Sequence, residues 1–158
     1  MGGKEQIIDY QHFTGFPPEP LLGSLLDLHL SVFAGQTRDE VGTEMAYHVE
    51  SGPFLMNLAL IGDRVIGYKA GYERKPDHFY SWLGCVDPAF RGRGVADMLM
   101  RRQHDWCSQQ NYHTVRTQTY NRWRGMLILN LKHGFDIIGT QQGAHGLIIV
   151  LEKQLPTT

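Results

Sequence analysis

Apolar side chains recur with a helical period of about 3.6 residues in three stretches of the chain. The first stretch predicts a helix over residues 21–32, and the second predicts one over residues 94–110. The third lies in RWRGMLILNLKHGF, where four apolar residues are expected to face the core: Met126, Leu127, Leu129 and Leu131. Thr37 and Glu40 match a capping box, which predicts a further helix ending near Glu50.

Shorter apolar or alternating runs, bounded by turn residues, predict seven strands. They cover residues 6–13, 54–61, 64–72, 78–86, 113–119, 136–140 and 146–152. Gly62-Asp63 is a hairpin signal between the second strand and the third. Because the middle strands form a meander and the later ones alternate with helices, the order predicts an α+β fold with a mixed sheet. We expect one domain over residues 1–158.

The composition and charge exclude several classes of function. Fifteen basic and sixteen acidic residues give a formal charge of −1, which is not the balance of a nucleic-acid-binding protein. Two cysteines are too few for a disulfide framework and suit a reducing compartment. The charged start lacks the apolar segment of a secretory signal, and no apolar run approaches the about 18 residues of a membrane span. We therefore expect a cytoplasmic protein with no nucleic-acid or membrane partner.

The stretch GCVDPAFRGRGVADMLMRRQHDW places glycines and arginines together where a strand turns into a helix. A helix N-terminus presents unpaired N–H groups and the positive end of its dipole, so it attracts anions. Gly92 and Gly94 allow close approach to the backbone, and Arg91 and Arg93 add charged donors. A dinucleotide fingerprint is disfavoured because Asp97 stands where its third glycine belongs, and a P-loop sequence is absent. A tight turn with solvated arginines remains an alternative on these residues alone.

The same stretch resembles the coenzyme A motif of the GNAT N-acetyltransferase superfamily, Arg/Gln-x-x-Gly-x-Gly/Ala. Arg91, Gly94 and Ala96 match its positions, after a Val-Asp-Pro that commonly ends the family's fourth strand. Downstream, the helix that precedes Gly134-Phe135 resembles the second family motif, and Gly134 stands where a left-handed helix cap belongs. The order of elements resembles the family over nearly the whole chain.

This resemblance implies the GNAT fold, with a mostly antiparallel sheet of about seven strands, about four helices, and strands 4 and 5 splayed apart. It also implies acetyl-coenzyme A (acetyl-CoA) as cosubstrate. The backbone of Gly84, Cys85 and Val86 would pair with the pantetheine arm. The pyrophosphate would be held by N–H groups of the following residues: Arg91, Gly92, Arg93, Gly94, Val95 and Ala96.

The sequence departs from the family at the positions that move protons. Asn130 stands where many relatives have a tyrosine that protonates the leaving thiolate, and an amide can donate a hydrogen bond but cannot serve as an acid. Trp123 replaces a cofactor-binding asparagine, for which Asn121 is the nearest substitute. The fifth strand contains no carboxylate. Tyr80 and Glu73 are then the remaining catalytic candidates with Asn130, and His78 is a further possible base.

The expected reaction is direct transfer of acetyl to a primary amine of a small molecule or peptide within a ternary complex. A non-catalytic coenzyme A sensor and an acyltransferase for longer chains are the alternatives. An acyl-cysteine at Cys85 is disfavoured against a small buried residue. His104 and Cys107 share a helix side, but no further ligand pair lies near, so no metal site is expected. A homodimer is expected by analogy with the family alone.

Overall fold

A computed structural model of the protein describes residues 6–156. Residues 1–5, on which part of the argument against a signal peptide depends, lie outside the described residues. Within the described part of the chain, no helix is both long and apolar enough to cross a membrane.

Four α-helices and seven strands follow in the predicted order. The helices are α1 (Leu21–Val32), α2 (Arg38–Ser51), α3 (Val95–Gln109) and α4 (Arg124–Lys132), and a 3-10 turn covers Pro88–Phe90. The strands are β1 (Asp9–Phe13), β2 (Phe54–Ile61), β3 (Arg64–Lys75), β4 (His78–Val86), β5 (Thr114–Tyr120), β6 (Asp136–Gly143) and β7 (Gly146–Gln154).

The largest differences from the predicted bounds are longer strands. β3 continues to Lys75, because the chain turns only at Pro76-Asp77, where Asp77 has φ 67°. β6 continues past residue 140 to Gly143, which pairs with Gly146 at the start of β7, and β7 ends at Gln154. The intervening Gln and Gly residues have little strand propensity, but pairing with a neighbouring strand outweighs that preference. β1 is shorter and begins at Asp9.

The strands form one open, mixed sheet in the order β1-β2-β3-β4-β5-β7-β6. The pairs β1–β2, β5–β7 and β6–β7 are antiparallel, whereas β4 and β5 are parallel. The parallel register joins His78–Ser81 to Thr114–Thr117, although β4 continues to Val86 and β5 to Tyr120. The predicted α+β class and GNAT-type sheet are therefore confirmed.

The chain divides into two compact units. Within the described residues, the first unit comprises residues 6–70 and Leu83–Gln103, and the second comprises Gly71–Trp82 and residues 104–156. The division passes through β3, β4 and α3. The expectation of a single domain over the whole chain stays a prediction.

In the first unit, the predicted capping box starts α2. The Thr37 hydroxyl accepts a bond from the Glu40 N–H, and the Glu40 carboxylate accepts one from the Thr37 N–H, both at 3.2 Å. This exchange satisfies two donors that a helix start otherwise leaves unpaired. An apolar cluster lies under the start of α3 and consists of Ala59, Ile66, Val86, Phe90, Val95 and Leu99.

In the second unit, α4 corrects one sequence-based expectation. Leu131 was expected to face the core, but it is exposed, and Met126, Leu127 and Leu129 are half-buried. Asn130 takes the inward position instead, because it follows Met126 by four residues and Leu127 by three, and so shares their face. A polar residue on the buried face of a short helix calls for a functional explanation.

The end of α4 confirms the predicted glycine cap. Gly134 has φ 88°, and its N–H donates to the Leu131 carbonyl at 3.1 Å. The Phe135 N–H donates to the Asn130 carbonyl, also at 3.1 Å. This pair of bonds is a Schellman motif, which fixes Phe135 against the helix and ends it at Lys132.

Candidate functional site

The turn between β4 and α3 in the first unit is anchored by Asp87. Its carboxylate accepts a bond from the Ala89 N–H at 2.9 Å and pairs with the Arg64 guanidinium at 2.8 Å. Its own N–H donates to the Ile66 carbonyl at 2.8 Å. These bonds fix the direction in which the chain leaves β4 toward the glycine-arginine corner.

Gly92 and Gly94 give this corner its shape. Their φ angles of 78° and 77° lie in the left-handed region that residues with a side chain rarely adopt. No atom lies within 4 Å of the point where a Cβ would stand on either glycine. The first helical bond of α3 runs from the Met98 N–H to the Gly94 carbonyl, so the preceding N–H groups are not used within the helix. The corner is therefore open and rich in donors.

The two corner arginines are exposed but oriented. The Arg91 Nε donates to the Val86 carbonyl at 3.3 Å, which holds the guanidinium at the end of β4. The Arg93 guanidinium lies over the Phe90 ring, 5.2 Å from its centroid. Positive charge thus accompanies the N-terminus of α3, as an anion site requires.

The last residues of β4 lie close to β3. A Cβ on Gly84 would stand 2.9 Å from the Tyr68 carbonyl oxygen, so glycine is needed there for the two backbones to approach. Cys85 is half-buried, and burial raises the pKa of its thiol to about 12. The thiol is therefore protonated near neutral pH and is a weak nucleophile.

In the second unit, the Asn130 side chain is almost fully buried, with 2% exposure. Its Nδ2 has no hydrogen-bond partner among residues 6–156. A buried amide donor without a partner costs about 1–3 kcal/mol, so such groups usually meet a ligand or a water.

Asn121 is exposed, and its N–H donates to the Leu147 carbonyl at 2.9 Å. Trp123 is also exposed.

Three aromatic rings form a half-buried cluster on β3 and β4. The Tyr72 ring lies 5.4 Å from the Tyr80 ring and 6.0 Å from the Trp82 ring. Tyr80 and Trp82 therefore share a face, because side chains two residues apart in a strand point the same way. Burial, with a smaller effect of Tyr72, raises the pKa of the Tyr80 phenol to about 12, so it remains a neutral donor.

The structure separates Glu73 from Tyr80. Tyr112 donates to the Glu73 carboxylate at 3.0 Å, and the Tyr112 ring packs on Phe79. Phe79 and Tyr80 are adjacent in β4 and point to opposite faces, so Glu73 lies on the face away from the aromatic cluster.

Burial, followed by the charge of Lys75, lowers the pKa of His78 and keeps it neutral near pH 7.

Comparison with known families gives a match to the acetyltransferase (GNAT) family over residues 22–125. The matched segment contains the β4–α3 corner and well over half of the chain. The chain belongs to the GNAT acetyltransferase family.

Solved GNAT structures share its fold. Ard1 from Thermoplasma volcanium is 16% identical, with a TM-score of 0.79 over 94% of this chain and 98% of that one. A GNAT acetyltransferase from Elizabethkingia anophelis with acetyl-CoA bound is 20% identical, with a TM-score of 0.73 over 96% and 100%. The NatC complex bound to Gag peptide and CoA is 15% identical, with a TM-score of 0.77 over 94% and 99%. No curated protein sequence matches significantly.

Sequence reasoning about this GNAT chain missed a carboxylate on the face of the aromatic cluster. Arg116 in β5 binds the Glu152 carboxylate of β7 through Nε at 2.8 Å and Nη2 at 2.7 Å. The register also sets Tyr80 beside Arg116. The available signal was one basic residue in TVRTQTY and one acidic residue in GLIIVLEKQ. It could predict an ion pair only if β5 and β7 were already known to be neighbours in the sheet.

No group of three or more His, Cys, Asp or Glu side chains with the arrangement of a metal site is found among residues 6–156. His104 and Cys107, which share a side of α3, lie in different surroundings. The Lys153 ammonium lies 2.9 Å from the His104 Nδ1, and Cys107 is fully buried, which raises its pKa.

Proposed function

We propose that this GNAT acetyltransferase transfers acetyl from acetyl-CoA to a primary amine of a small molecule or peptide. The observation that carries the proposal is the open β4–α3 corner, where two left-handed glycines lead into a helix N-terminus. Such a corner accepts a pyrophosphate against backbone donors. The relative from Elizabethkingia anophelis with acetyl-CoA bound supports the choice of ligand.

The residues of the corner fit this cosubstrate. N–H groups from Arg91 to Ala96 would bind the pyrophosphate, and the backbone of Gly84, Cys85 and Val86 would pair with the pantetheine arm. In the second unit, the unpaired Asn130 amide is proposed to donate to the coenzyme, and Asn121 remains a weaker candidate because it is exposed. Acetyl-CoA supplies the acetyl group as an activated thioester.

Transfer is proposed to be direct. The acceptor amine loses a proton and attacks the thioester carbon, an N–C bond forms, the C–S bond breaks, and the leaving thiolate takes up a proton. Binding both substrates together replaces a bimolecular encounter with a positioned attack. The raised pKa of Cys85 argues against an acyl-cysteine, because the thiol is not ionised near neutral pH.

Tyr80 is the proposed catalytic hydrogen-bond donor. Its phenol stays neutral far above pH 7, so it can orient the amine or the thiol but cannot remove a proton as a phenolate. Glu73 is a weaker candidate, because it lies on the other face and is bound by Tyr112. Solvent is then the proposed proton acceptor.

We also propose a cytoplasmic location, and a homodimer by family analogy.

The test is a screen of primary amines with acetyl-CoA that measures release of free thiol. Turnover with at least one amine is expected, and Cys85→Ala should keep most of it. Coenzyme A binding in calorimetry without turnover of any amine would favour a sensor instead. An acetyl adduct on Cys85 that passes its acetyl to the amine would refute direct transfer.

A further inference from the structure

A row of side chains crosses one face of the sheet in the second unit. The β4–β5 register sets Tyr80 beside Arg116, and the β5–β7 register sets Arg116 beside Glu152. Residues paired in this way point to the same face, with neighbouring strands about 5 Å apart. The Arg116–Glu152 ion pair and the contact between the Tyr80 and Tyr72 rings join the row across four strands.

The opposite face of the same strands is closed. Phe79, Val115 and Leu151 alternate with the residues of the row and have 0% exposure. The Arg116 and Glu152 side chains, in contrast, are 25% and 19% exposed. The row is therefore a partly accessible surface on a rigid base, which suits a binding site better than a flexible loop does.

Arg74 places an unpaired positive charge at one end of this face. It follows Tyr72 by two residues in β3, so it points to the same face. Although burial raises the pKa of Tyr80, the charges of Arg116 and Arg74 oppose that rise. Arg74 is exposed and forms no ion pair with a carboxylate among residues 6–156. The β6–β7 register sets the exposed Asp136 beside Glu152 at the other end of the row, so Arg74 and Arg116 are matched in number by two carboxylates, but Arg74 itself has no ion-pair partner in the described part of the chain.

We propose that this row binds the acceptor, and that the acceptor is a small amine that also has a carboxylate and a planar apolar group. The proposal rests on the proposed acetyltransferase function. The carboxylate pairs with Arg74, the ammonium lies toward Glu152 and the Tyr80 hydroxyl, and the planar group packs on the aromatic cluster.

The missing ion-pair partner of Arg74 explains the requirement for a carboxylate. A simple monoamine would leave the Arg74 guanidinium unpaired. A zwitterion provides the missing partner. Selectivity by pairing of an otherwise unpaired group is a general feature of specific sites.

The experiment compares three acceptors as probes. L-Phenylalanine has the ring and the carboxylate, phenethylamine lacks only the carboxylate, and L-alanine lacks the ring. After correction for the fraction of free amine, kcat/KM for L-phenylalanine should exceed that for each of the others by about tenfold or more. Equal or better turnover of phenethylamine would overturn the requirement for a carboxylate.

Arg74→Gln is the decisive variant, with Lys75→Gln as its matched control. Lys75 is the next residue, is also exposed, loses the same charge, and alternates to the other face. Arg74→Gln should raise KM for L-phenylalanine by about tenfold and leave phenethylamine unchanged. Lys75→Gln should change neither. A loss shared equally by both acceptors would contradict the pairing with Arg74.

Binding of L-phenylalanine measured by NMR in the absence of acetyl-CoA separates this proposal from the proposed function. If L-phenylalanine binds in a way that depends on Arg74 but no amine is turned over, the proposed binding site is supported and the proposed acetyltransferase function is refuted. If other amines are turned over but L-phenylalanine does not bind, the acetyltransferase function is supported and the proposed binding site is refuted.

Discussion

At the residue scale, the backbone angles of two glycines, rather than side chains, determine the shape of the β4–α3 corner. Gly92 and Gly94 adopt angles that cost a residue with a Cβ about 1–2 kcal/mol. The cost arises in the backbone alone, because neither glycine has a neighbour within 4 Å of the Cβ position. Under the proposed function, the same open space would let a phosphate of acetyl-CoA approach the backbone.

Gly94→Ala is expected to weaken coenzyme A binding by about tenfold or more, since the Cβ both strains the corner and occupies the phosphate approach. Isothermal calorimetry measures the effect. Gly42→Ala is the control, because Gly42 lies within α2 with open space around its Cβ position and an ordinary φ. Unchanged affinity in a folded Gly94→Ala protein would remove the corner from the binding site.

At the element scale, α4 is a short helix whose end is set by its glycine cap. Gly134→Ala should lower the free energy of unfolding by about 1–2 kcal/mol, because φ 88° becomes unfavourable while the nearest atom, Lys153 Cε, remains at an ordinary 3.8 Å. Gly125→Ala, inside the same helix, should raise it by about 0.5–1 kcal/mol. Urea titration distinguishes the two, and equal effects would contradict the assigned cap.

The β4–β5 pair has a side-chain bond at the last residue of its register. The Thr117 hydroxyl donates to the Ser81 carbonyl at 2.9 Å, and both residues are buried. Thr117→Val keeps the shape but loses the donor, so it should cost about 1–3 kcal/mol.

Thr119→Val is the matched control in the same strand, because the Thr119 hydroxyl makes only a long 3.5 Å contact with the Tyr120 carbonyl. It should cost much less than Thr117→Val in the same urea titration. Similar costs for the two variants would show that the Ser81 bond has no special role at this point of the sheet.

At the scale of the whole molecule, burial raises the pKa of both thiols and of several phenols: Cys85, Cys107, Tyr10, Tyr68, Tyr80 and Tyr112. Unfolding returns these groups toward ordinary values of 9.0 for Cys and 10.0 for Tyr. Above about pH 9 the unfolded chain therefore loses protons that the folded protein keeps.

The stability contributed by these groups is complete below pH 9 and is lost as the pH rises toward 12 and beyond. Thermal unfolding between pH 8 and 11 should show this loss. In a Cys85→Ala Cys107→Ala variant, the decline between pH 9 and 10 should be shallower than in the wild type. A stability that is flat over this range would contradict the inferred pKa shifts.

The sequence alone determined the order of the elements and the glycine-arginine corner between β4 and α3. Both depend on local chemistry: periodic apolar positions, the Thr37–Glu40 cap, and glycines at positions of positive φ next to arginines. Local rules also located the end of α4 at Gly134, because a left-handed cap needs only its own few residues.

Only the tertiary structure decided which candidates share a face. Glu73 and Tyr80 are separated by the alternation of β3 and β4, whereas Arg116 and Glu152, 36 residues apart, meet through pairing of β5 with β7. Asn130 replaced Leu131 as the inward residue of α4 for the same reason. Strand pairing and helix docking bring together residues that are distant along the chain, and a period along one strand does not specify which strand will lie beside it.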